Sequence, residues 1–205
     1  MGISRIKVNM SKVLLLDVDG VVIRPRNKYF SETYSQDYGV PIEEIVPFFK
    51  GGYKRAAIGE VDIKDVLLSY LIKWGWKGNV DEFLRYWFES ERDTDEKVME
   101  FVSELRHRGV KVHLVSDNEA NRAKYLMEDV GLKNIFDGAF FSSALGVTKS
   151  DPEFYKKVVE KLKVKPEEVE YWDDDPKNVE VAKGVGINAQ VYGSFEEFKE
   201  RVVKI

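Results

Sequence analysis

Two kinds of hydrophobic patterning divide the chain. From Val110 onward, short apolar runs alternate with amphipathic stretches, as in a parallel sheet joined by crossover helices. Strands are predicted at 111–115, 139–142, 169–172 and 189–192, with helices at 118–130, 152–162, 176–185 and 195–202. The helix starts carry their own signals. Ser116 with Glu119 and Ser194 with Glu197 have capping-box spacing, and Asp151-Pro152 and Asp175-Pro176 place a capping carboxylate before proline. Near the N-terminus the apolar run 13–16 reads as one more buried strand.

Residues 25–92 break this rhythm, because helical patterns follow one another with no convincing strand between them. At 62–74, Val66, Leu67, Tyr70, Leu71 and Trp74 form a helical face closed by Gly75. Asn79 can cap the next helix, which carries Phe83, Leu84, Tyr86, Trp87 and Phe88; three consecutive aromatic residues cannot all face one side. At least one should meet the core domain, the substrate cleft or a partner subunit. A further helix at 95–108, ended by Gly109, leads back to the sheet. The expected fold class is therefore α/β: a Rossmann-like parallel sheet flanked by helices (1–24 and 93–205) with an inserted all-helical cap domain (25–92).

Composition narrows the function classes. The chain has 205 residues, 43% hydrophobic and 33% charged, enough for a full core and ordinary for a soluble protein. No apolar run approaches the ~20 residues of a membrane span. The start MGISRI has no apolar signal core, Ile6 stands where a myristoylation signal needs Ser or Thr, and Met10 is a candidate natural start. With no cysteine, thiolate catalysis and cysteine-bound metal are excluded, and a cytoplasmic location is expected. A net charge of −4 argues against nucleic acid as a partner.

The chemistry begins at Asp17-Val18-Asp19-Gly20, two carboxylates delivered by the first strand to one sheet edge, where ligands of open α/β sheets gather. A calcium loop is excluded because its glycine would come later, after acids at a third position. Three more segments fall at or beyond predicted strand ends: HLVSD (113–117), TKSDPEFY (148–155) and YWDDDPKN (171–178). Asp17 is suited to attack phosphorus as a nucleophile, and Asp19, two residues on, to move the proton as general acid and base. With Asp173, Asp174 and Asp175, up to five carboxylates could converge. Like charges ~4 Å apart repel by about 4 kcal/mol at an effective dielectric near 20, which calls for a hard divalent cation such as Mg²⁺.

In order and spacing these four segments resemble the haloacid dehalogenase superfamily, as do the continuation Asn178, Ala182, Gly186 and the helical insertion after the first strand. The resemblance implies a phosphatase working through an aspartyl-phosphate on Asp17. It implies Mg²⁺ held by Asp17, Asp174 and the Asp19 carbonyl, with Asp173 as an outer partner, and Ser116 and Lys149 holding the phosphoryl group beside Asp117. Relatives that break carbon–halogen bonds lack the second aspartate, so Asp19 favours phosphate esters. The family often has Ser or Asn at Asp175, Pro at Ser150 and Asn at Asp117; Asp175 is read as the helix cap before Pro176.

His107 falls at a helix end and His113 in a strand, and neither is given a role. Arg24, Arg26 and Lys28, and Lys50, Lys54 and Arg55 around Gly51-Gly52, form two basic clusters read first as solvated surface; the glycine pair suggests a mobile loop over the site. The expected partner is a small phosphate ester, a sugar phosphate or similar, in a monomer or homodimer without membrane association. The alternatives are a phosphomutase of the β-phosphoglucomutase type and a non-catalytic binding protein of the same fold.

Overall fold

A computed structural model describes residues 13–204. The expectations about a signal sequence, myristoylation and a start at Met10 concern residues that lie outside that range. Five parallel strands, β1 (Val13–Asp17), β2 (Lys111–Ser116), β3 (Gly138–Phe141), β4 (Val169–Asp173) and β5 (Asn188–Val191), form one sheet in the order β3-β2-β1-β4-β5. All five residues of β1 are buried, as expected of a central strand covered on both faces.

The alternation along β1 sorts the two cores. Leu14 and Leu16 pack with Phe101 and Val102 from α6 (Glu96–His107), Leu126 from α7 (Ala120–Glu128) and Phe198 from α11 (Phe195–Lys204). Val13 and Leu15 pack on the opposite face with Phe154 and Val158 from α9 (Pro152–Leu162) and with Val179 and Ala182 from α10 (Pro176–Gly184). Helices thus cover both sides of the sheet.

Between β1 and α6 lie five helices: α1 (Phe30–Tyr38), α2 (Ile42–Lys50), α3 (Gly52–Ala57), α4 (Ile63–Lys73) and α5 (Val80–Ser90). They share an aromatic-rich cluster of their own, with Phe30, Tyr34, Phe48, Trp74, Phe83 and Trp87 at its centre. The chain leaves and returns along paired segments: the Arg24 N–H donates to the Asp93 carbonyl and the Asp95 N–H to the Val22 carbonyl, each at 2.8 Å. Asn79 and Glu82 cap α5 reciprocally, and Asp62 caps α4.

Three local expectations change. The 118–130 helix starts at Ala120 because the buried Glu119 caps it, accepting from the Asn121 and Arg122 N–H groups; β2 continues through Ser116, which caps nothing. Gly51-Gly52 is no loop: Gly51 joins α2 to α3 and Gly52 opens α3, where a Cβ would strike the Val66 side chain of α4. A short helix, α8 (Ser142–Leu145), begins where the sequence suggested the end of a strand; its Ser142 hydroxyl donates to the Ala57 carbonyl.

Candidate active site

Asp17 ends β1 and Asp173 ends the neighbouring β4. The register aligns Leu16 with Trp172, so the two aspartates are also next to each other at the sheet edge. Lys149 lies between them, its Nζ 2.6 Å from Asp17 Oδ1 and 2.8 Å from Asp173 Oδ2, all three buried. The Val18 N–H also donates to Asp17 Oδ1 at 2.7 Å.

Asp173 is held on every side: Tyr171 Oη donates to Oδ2, the Asp175 N–H to Oδ1 at 2.7 Å, and Asn178 Nδ2 to Oδ2 at 3.2 Å. Asp174 is exposed, and its carboxylate sits where a Cβ on Gly20 would be; Gly20 itself has φ +94°, a left-handed value that favours glycine. Asp175 caps α10 through the Lys177 N–H, as expected.

One oxygen each from Asp17, Asp173 and Asp174 lies within 4.8 Å of the others, facing a single ammonium group. Burial pushes the Asp17 carboxyl well above the usual carboxylate range; Lys149 pulls against this and the Asp173 charge adds to it. Burial favours loss of the Lys149 proton, but Asp17, Asp173 and Asp117 overcome that and hold the ammonium form firmly. Three carboxylates against one lysine leave net negative charge on hard oxygen donors, a set that fits Mg²⁺.

Asp19 faces elsewhere. Although burial opposes its ionisation, Arg26, Arg122 and a 3.0 Å hydrogen bond from Asn118 Nδ2 hold its carboxyl below the usual range. Arg26 also meets Glu91 Oε1 at 3.1 Å, and Arg122 donates to the Phe88 and Glu91 carbonyls. Ser116 accepts from Asn118 Nδ2 at 2.7 Å, and Asp117 Oδ1 accepts from the Lys149 N–H at 2.9 Å, fixing the segment that carries the lysine.

The fold therefore gathers Asp17, Lys149, Asp173 and Asp174 at one edge, with Asp19 and Ser116 linked through Asn118. The carboxylate of Asp19 lies outside the cluster formed by Asp17, Asp173 and Asp174. Two arginines reach the site: Arg26, read from the sequence as solvated surface, and the buried Arg122, which was not singled out and resembles any helical surface residue in sequence. The first basic cluster disperses instead of forming a patch. Arg24 pairs with Asp93, Lys28 Nζ donates to Gln36, and Arg26 alone reaches the site. The expectation for the aromatic triplet holds: Trp87 and Phe88 are buried, and Phe88 packs on Tyr125 of α7 at 5.5 Å. His107 Nδ1 lies 2.6 Å from the Ser103 carbonyl, and His113 is partly buried in β2.

Beside Asp19 a cavity of about 560 Å³ opens between the helical insertion and the sheet edge, bordered by Arg26, Phe49, Tyr53, Trp87, Glu91 and Asn118. No helix among the described residues is long and apolar enough to cross a membrane.

Comparison with known proteins follows the same lines. A phosphorylated carbohydrates phosphatase of Thermotoga maritima is 26% identical over 89% of this chain and 84% of its own length. A phosphatase of Mycobacterium tuberculosis is 24% identical, covering 93% and 91% of the two chains. A haloacid dehalogenase family enzyme of Bacteroides thetaiotaomicron, solved with magnesium and inorganic phosphate, shares the fold at TM-score 0.77 and 20% identity, covering 91% of this chain and 98% of its own. The description that matches residues 11–186 is haloacid dehalogenase-like hydrolase, and with most of the chain matched, the protein belongs to that family.

Proposed function

We propose that this hydrolase is a Mg²⁺-dependent phosphatase of small phosphorylated metabolites, sugar phosphates or similar esters, acting in the cytoplasm through an aspartyl-phosphate on Asp17. The observation that carries the reading is the pairing of Asp17 with Lys149 inside the cluster it forms with Asp173 and Asp174, with a second carboxylate, Asp19, facing an adjoining cavity. The phosphatases among its relatives support the reaction class, and the Thermotoga maritima protein supports sugar phosphates as candidates. The boundaries 25–92 for a substrate-covering cap rest on the separate aromatic core of α1–α5 and on the hydrogen-bonded segments at its two ends.

In the first step an Asp17 oxygen forms a bond to phosphorus while the ester P–O bond breaks, and the Asp19 carboxyl gives its proton to the departing alcohol oxygen. Water then attacks the same phosphorus, the Asp17–P bond breaks, and Asp19 takes the water proton. Asp17 and Asp174, with the Asp19 carbonyl and with Asp173 in support, would hold Mg²⁺, which supplies charge neutralisation for the phosphoryl oxygens. Lys149 and the Ser116 hydroxyl hold the same oxygens from the protein side. Arg26 and Arg122 keep Asp19 ionised, which suits the base of the second step; a phosphate dianion arriving beside it raises its proton affinity by like-charge repulsion and suits it to the first.

The test is phosphate release from a panel of phosphorylated metabolites with Mg²⁺ and with EDTA. Asp17→Asn should abolish turnover while leaving the far-ultraviolet circular dichroism unchanged. Unaltered activity in that variant sinks the mechanism.

A further inference from the structure

Resting on the phosphatase reading, in which Asp19 passes its proton to the leaving alcohol, we infer that Glu91 is a positioning residue for that step, acting through Arg26. Glu91 is no part of the cluster of Asp17, Asp173 and Asp174. Yet its side chain is only 7% exposed, and a buried carboxylate is costly unless it is paired and hydrogen-bonded. Both conditions are met: Arg26 Nη1 lies 3.1 Å from Glu91 Oε1, and Trp87 Nε1 donates to Oε2 at 3.0 Å.

Arg26 divides its fork between two carboxylates. Nη1 meets Glu91 and Nη2 meets Asp19 Oδ1, while Asn118 Nδ2 donates to Asp19 Oδ2 at 3.0 Å. Arg26 lies in the segment between β1 and α1, where neither helix nor strand fixes it, so Glu91 decides where the guanidinium stands. Glu91 in turn follows the last residue of α5, where Arg122 of α7 holds its carbonyl and that of Phe88; Arg122 Nη2 is also 3.8 Å from Asp19 Oδ1. The two segments that leave and re-enter the sheet domain thus meet at Asp19. A one-armed contact orients Asp19 and leaves lone pairs on both oxygens for the reacting groups. Without the Glu91 charge, the freed arm closes on Asp19 in the two-pronged pairing that arginine and carboxylate favour, and the acid is withdrawn from the leaving group.

The experiment compares kcat/KM, with Mg²⁺, for p-nitrophenyl phosphate and for two esters of primary alcohols, glucose 6-phosphate and glycerol 3-phosphate. In a phosphoenzyme mechanism this constant reports the steps up to the aspartyl-phosphate, where the departing alcohols need a proton and the nitrophenolate does not. Glu91→Gln keeps the size of the side chain and removes its charge. It should lower the ratio of either alkyl ester to the aryl ester about tenfold, a part of the ~10²–10⁴ that a general acid supplies. Arg26→Met should lower the ratio at least as far, and makes the test if Glu91→Gln fails to fold. Adding Glu91→Gln to Arg26→Met should lower it no further, because Glu91 acts through Arg26. Equal loss on all three esters, a loss confined to glucose 6-phosphate, or an undiminished effect in the Arg26→Met background overturns the inference and leaves the phosphatase reading intact. A parent enzyme that hydrolyses the aryl ester alone lacks a working acid and overturns it too. Silence of the parent with all three esters overturns both.

Discussion

Lys149→Met is the most informative perturbation of stability, because the lysine lies between two buried carboxylates at 2.6 and 2.8 Å. Methionine keeps the length of the stem and removes the charge. Breaking a buried ion pair by removing one partner costs about 3–5 kcal/mol, because the remaining charge is left uncompensated. Asp173 retains Tyr171, Asn178 and the Asp175 N–H, so most of the loss should fall on Asp17, which keeps only the Val18 N–H. We therefore expect a loss of about 3 kcal/mol in EDTA at neutral pH, the lower end of that range. Mg²⁺ should restore part of it, since a cation bound to the folded state alone stabilises it by mass action. Acid should restore more. The Asp17 proton affinity is raised in the fold, so its protonated form is favoured there; the penalty shrinks as pH falls from the raised value toward the ordinary 3.8. Urea denaturation of both proteins, in EDTA and in Mg²⁺ and at two pH values, measures each part. A loss below about 1 kcal/mol in EDTA at pH 7 would refute the argument, since that is the scale of an exposed pair.

Gly20→Ala should destabilise by about 1–2 kcal/mol for the left-handed backbone alone, and because its Cβ displaces the Asp174 carboxylate it should also weaken Mg²⁺ activation, read as a higher half-saturating Mg²⁺ concentration. Asp137→Asn should cost about 1.5–3 kcal/mol, the range for hydrogen bonds to charged groups, because its carboxylate receives Arg106, Lys111 and the Val112 N–H. Despite the effect of burial, these partners hold Asp137 below the usual range, so its contribution is present above the ordinary carboxylate value and is lost as pH falls through the depressed one; the variant and parent should converge in urea titrations at acid pH. Phe83→Ala removes a fully buried ring that meets Phe30 and Tyr34 edge-on, and should cost about 3–5 kcal/mol. If α1–α5 unfold separately from the sheet, tryptophan fluorescence should then report an earlier transition than circular dichroism.

The sheet was legible because β1, β2 and β4 are short, largely buried runs between turn signals, and the predicted limits differ from the observed ones by a residue at most ends. Asn79, Asp151 and Asp175 cap the helices they were expected to cap, since the interaction is local. Ser116 misled because its spacing to Glu119 fits a capping box equally well when Glu119 itself is the cap. Gly51-Gly52 misled for a different reason: in sequence, a glycine that allows two helices to approach looks the same as one that loosens a loop. Arg122 and Glu91 were illegible as site residues because they meet partners far along the chain, and Arg26, although only seven residues from Asp19, looked like one more member of a solvated basic cluster. Arg122 contacts carbonyls 34 and 31 residues away, and nothing local distinguishes it from a solvated arginine.

The same distinction explains how the site is assembled. Asp17 and Asp19 come together through chain adjacency, but Asp17 and Asp173 come together through strand register. Along β1, Val13 and Leu15 face α9 and α10, and the two-residue period places Asp17 on that side. Along β4, Val169 and Tyr171 belong to the same core, and the period places Asp173 there as well, with Tyr171 two residues back in position to reach it. Lys149, just before α9, enters from that face. A slip of β4 by one residue would send Asp173 to the opposite face and bury Trp172 against the wrong helices. The hydrophobic alternation that builds the two cores therefore also fixes where Asp17, Lys149 and Asp173 meet, and the apolar residues of β1 and β4 are positioning elements of the site without touching it.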